Sequence, residues 1–323
     1  MAPTILIAGA TGNTGVGVTE ALSRLLQSSK AFSNHRIIAL TRSSSNPTAQ
    51  ALAKLPNVEI IEKNWVEVTT AWLIEHEVIR AFVACYVNPL QFAEESTFLL
   101  AALQAGVQYV VRISTCAPNV RPDCPAYYPR SHWAIEALLD TPEFSSMQWT
   151  SLQPNAFAPL YFHTAAEFIK NFRETGKQDG TLKLMGAEDV PSAPIDPVEI
   201  GVFAAHLLVQ EDTSRHNKAK YVLNGPEDIT GRQIVELVEG YIGTKVESVI
   251  FKDMSLVDDM LKVSGAYRHF VDSIRYAQQV AWDGLTMAST TSKEVLEIVA
   301  PKRTPGEVLR DLLQEGQKEV GNE

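Results

Sequence analysis

At 323 residues, 45 % hydrophobic and 20 % charged, the chain has the composition of a globular protein with room for about two domains. A formal charge of −10 with no block of lysine or arginine excludes a surface built to grip a nucleic-acid backbone. No run nears the ~18 apolar residues of a membrane span, no basic leader region opens the chain, and Cys85, Cys116 and Cys124 suit neither a disulfide framework nor a zinc site. These features predict a cytoplasmic protein with reduced thiols.

The first element is an apolar run over 4–8, followed by Gly9-Ala10-Thr11-Gly12-Asn13-Thr14-Gly15 and an amphipathic stretch through Ala21, Leu22, Leu25 and Leu26. This reads as strand, tight glycine turn and helix. A side chain at the glycines would block the turn, the approach of a phosphate to backbone N–H groups and the packing of helix on strand. The helix N-terminus is left facing an anion, so Gly9, Thr11, Gly12, Asn13, Thr14 and Gly15 are expected to bind a dinucleotide.

Apolar runs recur at 36–40, 58–61, 78–87, 107–113 and 149–152, with helical patterns between them. Continuous Val/Ile-rich runs alternating with helices predict an α/β protein, a Rossmann-type doubly wound parallel sheet over 1–156. Residues 157–323 are expected to form mainly a smaller α/β substrate-binding domain, with some segments returning to the first. Ligands of such sheets sit at the carboxyl ends of the strands, so the residues closing each run are the site candidates.

The second run ends in Thr41-Arg42-Ser43, without the carboxylate an NAD site places on the ribose. A guanidinium flanked by hydroxyls suits a 2′-phosphate, which predicts NADP(H) over NAD(H), although a solvated arginine in a serine-rich loop would look the same. After the third run, Asn64 and Trp65 can hydrogen-bond or stack on adenine, or Trp65 can pack in the core. Val87 and Asn88 follow the fourth run in a turn that would border the cofactor. Ser114 and Thr115 follow the fifth.

A proline-rich loop then leads to a helix over 130–139 containing His132, Trp133 and Glu136, the last two three residues apart and both read as structural. From here the chain resembles the NmrA-like family, atypical short-chain dehydrogenase/reductases related to isoflavone-reductase-like enzymes. The residues behind this are Gly9 to Gly15, His132-Trp133-Ala134-Ile135-Glu136, and Trp149 through Pro154, Asn155, Ala156 and Phe157. Segments 193–201, 221–231 and 282–284 agree with it.

The resemblance implies that Pro154, Asn155 and Phe157 meet the nicotinamide end of the cofactor. It also implies a Tyr-x-x-x-Lys pair with a nearby hydroxyl, and here Tyr128-Pro129-Arg130-Ser131-His132 puts His in the lysine position. A histidine near pKa ~6.5 cannot supply lysine's constant charge at pH 7. Pro129 is expected to push Tyr128 into an extended conformation just outside the helix, which leaves Tyr127 as an equal candidate. His132 then either handles a proton beside the nicotinamide or hydrogen-bonds locally.

In the second half the pattern predicts helices at 163–172, 197–209 and 230–242, strands at 182–184, 193–195 and 220–223, and an amphipathic tail helix at 305–313 docked on its own domain. Two aromatic groups, Phe157, Tyr161 and Phe162, then Tyr267, Phe270 and Tyr276, can wall a cleft or fill a core. His163 reads as structural. The histidines form no i, i+4 pair, so no metal site is expected.

Together these features predict an NADPH-dependent oxidoreductase acting on a small apolar or aromatic carbonyl or enone compound in secondary metabolism. Ser114 or Thr115 would orient the substrate, and His132 with Tyr127 or Tyr128 would handle the proton. The alternatives are a non-catalytic NADP(H)-binding redox sensor acting on a protein partner, and a redox-neutral enzyme such as an isomerase. A small-molecule substrate is expected, and neither nucleic acid nor membrane.

Overall fold

The computed structural model describes residues 2–320. Its strands are β1 (Thr4–Ala8), β2 (Arg36–Thr41), β3 (Val58–Glu62), β4 (Val78–Val83), β5 (Tyr109–Ile113), β6 (Gln148–Pro154), β7 (Leu182–Leu184), β8 (Ala219–Leu223) and β9 (Val249–Phe251). The first-half helices are α1 (Gly15–Ser28), α2 (Pro47–Leu52), α3 (Thr70–Glu75), α4 (Gln91–Gln104) and α5 (Tyr127–Leu139). Then come α6 (Ala158–Thr175), α7 (Pro197–Leu208), α8 (Gly231–Ile242), α9 (Ser255–Val263), α10 (Arg268–Ser273), α11 (Gln279–Trp282), α12 (Lys293–Val299) and α13 (Pro305–Val320).

Seven strands form one sheet in the order β3-β2-β1-β4-β5-β6-β8, with every neighbouring pair parallel. The chain reverses its direction across the sheet between β1 and β4, which opens a crevice above their carboxyl ends. Both faces are covered, so alternate residues of one strand enter different cores. Ile5 and Ile7 pack with Val18, Leu22 and Phe203 on the side of α1 and α7, while Leu6 and Ala8 pack with Phe98, Leu99 and Ile135 on the side of α4 and α5.

Three strand expectations change. The fourth run stops at Val83, because the following residues turn over the crevice and Asn88 closes that turn, accepting from Leu90 N–H at 2.7 Å. The fifth begins at Tyr109, since Val107 N–H is spent on Ala102 C=O at the end of α4. Residues 193–195 make no strand. Two isolated bridges, Phe157 with Ile195 and Ser192 with Ile229, are what their flanking prolines leave.

β8 lies beside β6 in the large sheet, and α7 lies against α1. Gly17 and Gly201 set that helix crossing: a Cβ at Gly17 would lie 2.4 Å from Val198 C=O, and one at Gly201 2.4 Å from Thr14 C=O. Gly201→Ala must therefore push α7 off α1, and urea unfolding should show a loss of about 2 kcal/mol, as for other overpacked cores. Arg80 caps the far end of α7, donating to Leu208 and Gln210 C=O at 2.7 Å each, with its guanidinium 4.7 Å from the Phe32 ring.

The remaining elements build a smaller layer. Phe162 and Ile169 of α6, Ile234 of α8, Leu184 of β7 and Leu309 of α13 share one core, so the tail helix does dock on its own chain. β7 pairs in parallel with β9. At α8 the side chains of Thr230 and Gln233 close a reciprocal capping box.

Candidate functional site

The carboxyl ends of the central strands open into a cleft of ≈ 690 Å³ between the large sheet and the second-half helices. Its floor is the glycine turn. Gly9 has φ +90°, and a Cβ there would lie 2.9 Å from Ala84 C=O at the end of β4. At Gly15 the Cβ would lie 2.0 Å from Gly9 C=O, so Gly15 closes the turn from beneath rather than lining the cleft. Thr11, Gly12, Asn13 and Thr14 line it. Thr14 makes no side-chain cap and the first turn of α1 holds no acidic residue, which leaves the helix N-terminus open to an anion.

At the outer end stand Thr41 and Arg42 from β2 and Lys63 and Asn64 from β3. The hydroxyl of Thr41 accepts from Ser43 N–H at 3.2 Å, and Ser43 itself stays outside the cleft, its hydroxyl 2.9 Å from that of Ser45. The side chain and N–H of Ser44 bind the Glu62 carboxylate at 2.6 and 2.9 Å and hold its pKa below the usual range. Asn64 Oδ1 caps the next turn through Val66 N–H. Trp65 settles in the core, edge-on to Phe98 with centroids 5.9 Å apart, and only its rim reaches the cleft. Val87 lines the cleft, whereas the Asn88 amide is spent on Tyr86 C=O and Glu94 and does not.

At the inner end Ser114, Thr115, Tyr128, His132, Pro154, Asn155 and Phe157 come together. Ser114 Oγ is buried and has no hydrogen-bond partner among the described residues. The Thr115 hydroxyl lies 3.4 Å from that of Tyr128, and burial pushes the Tyr128 phenol up to about 12. Tyr128 is not extended outside the helix as expected. Pro129 occupies the first turn, where no N–H is required, and the N–H of Tyr127 is held by Ser273 Oγ at 3.0 Å. The Tyr127 ring faces solvent beneath the Arg130 guanidinium, so Tyr128 is the tyrosine of the cleft. The Asn155 amide donates to Ala193 and Thr286 C=O at 2.8 and 3.0 Å, tying β6 to the second half.

Behind His132 lies a charged network no sequence pattern announces. Arg112, fully buried on β5, grips Glu95 through two hydrogen bonds of 2.5 and 3.2 Å and donates to Ser151 Oγ at 2.9 Å. It also donates to His132 Nδ1 at 2.9 Å. Burial first, and Arg112 second, hold the His132 pKa well below 6.5, so the ring is neutral with its proton on Nε2. The Gln91 amide lies 3.0 Å from Nε2, and turning it over gives that proton an acceptor and Gln91 Oε1 a partner it otherwise lacks. Glu136 joins from α5, accepting from Ser151 and Gln153. Trp133 and Glu136 therefore do not share an environment: Glu136 is enclosed and Trp133 is 40 % exposed.

The structure decides between wall and core for the second-half aromatics. Phe157 lines the cleft, but Tyr161 and Phe162 fill the smaller core, and Tyr267 and Tyr276 face solvent. Met185, Met254, Leu256, Met260, Ile274 and Val280 form the wall instead. They are spread over the bend after β7, the approach to α9, α9 itself and the helical turns up to α11, without the dense cluster that marks a pocket in sequence. Lys63 was also missed, although it follows β3 directly and the strand-end rule points to it. Among the described residues no group of His, Cys, Asp and Glu could hold a metal ion, and no helix is long and apolar enough to cross a membrane.

A doubly wound sheet with a glycine turn after β1 and a cleft over the switch point defines a Rossmann-type protein. The chain belongs to the NmrA-like family, whose sequence model matches residues 1–296. None of the curated proteins compared with it matches. Among solved structures, the NADPH-dependent quinone oxidoreductase QOR2 of Escherichia coli, complexed with NADPH, is 20 % identical with a TM-score of 0.70, over 95 % of this chain and 99 % of that one. Citrobacter sp. triphenylmethane reductase complexed with NADP(H) is 18 % identical with a TM-score of 0.67, over 96 % and 100 %. NmrA, a negative transcriptional regulator in complex with NADP, is 14 % identical with a TM-score of 0.69, over 99 % and 98 %.

Proposed function

We propose that the protein is an NADP(H)-dependent reductase of a small apolar or aromatic carbonyl or enone compound, working in the cytoplasm in secondary metabolism. The observation that carries this is the buried, unpartnered hydroxyl of Ser114 beside the Thr115–Tyr128 pair, at the opposite end of the cleft from Arg42 and Lys63. The residues fit the dinucleotide: the glycine turn and the start of α1 would hold its pyrophosphate, and Arg42 with Lys63 its 2′-phosphate. When bound, the reduced nicotinamide supplies hydride. Ser114 would donate a hydrogen bond to the substrate oxygen, Tyr128 would give that oxygen its phenol proton as hydride reaches the substrate, and His132 would support the Tyr128 ring, which it meets edge-on at 6.3 Å.

Fluorescence titration with NADPH, NADP⁺, NADH and NAD⁺ tests the cofactor. NADPH should bind more tightly than NADH, and Arg42→Ala should weaken NADPH by about tenfold or more while leaving NADH unchanged, given the strength of charge-assisted hydrogen bonds. Equal affinities for NADPH and NADH in the wild type would remove the 2′-phosphate assignment. A second reading, a binding protein that reports the NADP(H) redox state to a partner, is favoured by the neutral His132 in the lysine position. It requires different affinities for NADPH and NADP⁺, because only differential binding shifts an equilibrium. Product analysis separates both from a redox-neutral isomerase.

A further inference from the structure

The cleft has two limbs of opposite chemistry. Its cationic side chains, Arg42 and Lys63, follow β2 and β3. These strands lie three and four positions from β5, so about 14 and 19 Å from the inner end at ~4.8 Å per strand. Among the described residues, the wall contributed by the second half contains no ionisable side chain.

That composition is not a by-product of an apolar segment. α9 and the turns after it carry Asp258, Asp259, Lys262, Asp272 and Arg275, but these pair with one another away from the cleft. Lys262 holds Asp259 at 2.6 Å, and Arg275 holds Asp272 at 2.9 Å and also Asp258. What α9 and its neighbours turn inward is apolar except for the uncharged amide of Gln278.

Three of the chain's six methionines, Met185, Met254 and Met260, stand in this wall. Thioether sulfur is polarisable and gains from contact with aromatic rings, and unbranched methionine fits flat ligands of varied outline. The wall's polar side chains are few. The Thr286 hydroxyl is paired with Ser192 at 2.9 Å, and the unpartnered Ser114 hydroxyl stands at the inner end.

We propose that this limb is a subsite for an uncharged, flat aromatic ring system, and that Met185, Met254 and Met260 set its preference for rings over aliphatic chains. The proposal deepens the reductase reading above and rests on it for the ligand's role as substrate. Sugar nucleotides and other phosphorylated ligands find no counter-charge in the limb.

Equilibrium dialysis with three probes tests this: 2-naphthol, neutral at pH 7; naphthalene-2-sulfonate, its anionic counterpart; and 1-decanol, with the same number of carbons and no ring. The wild-type protein should bind 2-naphthol about tenfold more tightly than either of the others. Replacing the three methionines by leucine, a volume-conserving change, should shrink the naphthol-to-decanol ratio about threefold and leave NADPH affinity intact. Met260→Glu, at a half-exposed position, should weaken 2-naphthol about tenfold. Equal binding of the sulfonate or the alcohol, or an unchanged ratio in the leucine variant, overturns the proposal. Ring preference without NADPH binding would retain the subsite and remove the reductase; NADPH binding without ring preference would do the reverse.

Discussion

Gly15→Ala is expected to lose NADPH binding by about 100-fold or more in a fluorescence titration, and to unfold at a lower temperature than the wild type. The added Cβ would lie 2.0 Å from Gly9 C=O and 2.8 Å from the backbone of Ala10. Neither obstacle is a flexible side chain, so the turn itself must open. Opening it moves the N–H groups at the start of α1 away from the position where they jointly meet a phosphate, and that cooperation is the source of the site's affinity. Gly240→Ala is the control: nothing lies within 4 Å of its Cβ, and it should bind NADPH normally and gain up to about 1 kcal/mol from helix propensity. Normal binding by Gly15→Ala would show that the turn is not the anion cradle.

Arg112→Met should cost about 3–5 kcal/mol in urea unfolding, because it leaves the fully buried Glu95 without its cation and Glu136 with Lys220 alone. The same network sets a pH dependence. With the folded-state pKa of His132 held below 6.5, the unfolded chain takes up a proton there that the folded chain refuses. Stability contributed by the neutral ring is complete above about pH 6.5 and is lost as the pH falls, by at most ~1.4 kcal/mol per unit. His132→Asn should remove this share of the slope between about pH 6.5 and 5, while His35, His206 and His216, also held low by burial, keep theirs. Urea midpoints across that range provide the measurement. An unchanged slope would mean that His132 is protonated in the folded protein.

Local rules made the sheet legible. Thr4 to Ala8 followed by three spaced glycines admits little besides strand, turn and helix, and the strand ends of the expected sheet then point to Arg42 and Ser114, while Asn155 rests on the family resemblance. The errors came where long-range partners decide. Tyr128 was placed outside its helix because the local effect of Pro129 is visible in sequence, while Ser273, which anchors the turn from 146 residues away, is not. Asn88 looked like a cofactor contact, yet its amide is consumed by Glu94 and its own loop. Arg112 looked like one more strand residue. Its two carboxylates lie 17 residues before it and 24 after it, on different helices, and only the packed sheet brings them together.

The crossing of α1 and α7 bears on how the chain acquires its shape during synthesis. The glycine turn is complete by residue 15, but the helix that covers Gly17 comes only with Gly201, and the strand beside β6 only with β8. A growing chain therefore carries an assembled-looking nucleotide half whose first helix is bare, whose sheet has an open edge and whose Arg80 lacks the carbonyls that receive it. A fragment ending at residue 156 would keep that condition permanently. A break at that point would leave exposed the edge of β6 and the face of α1 that β8 and α7 cover in the whole chain.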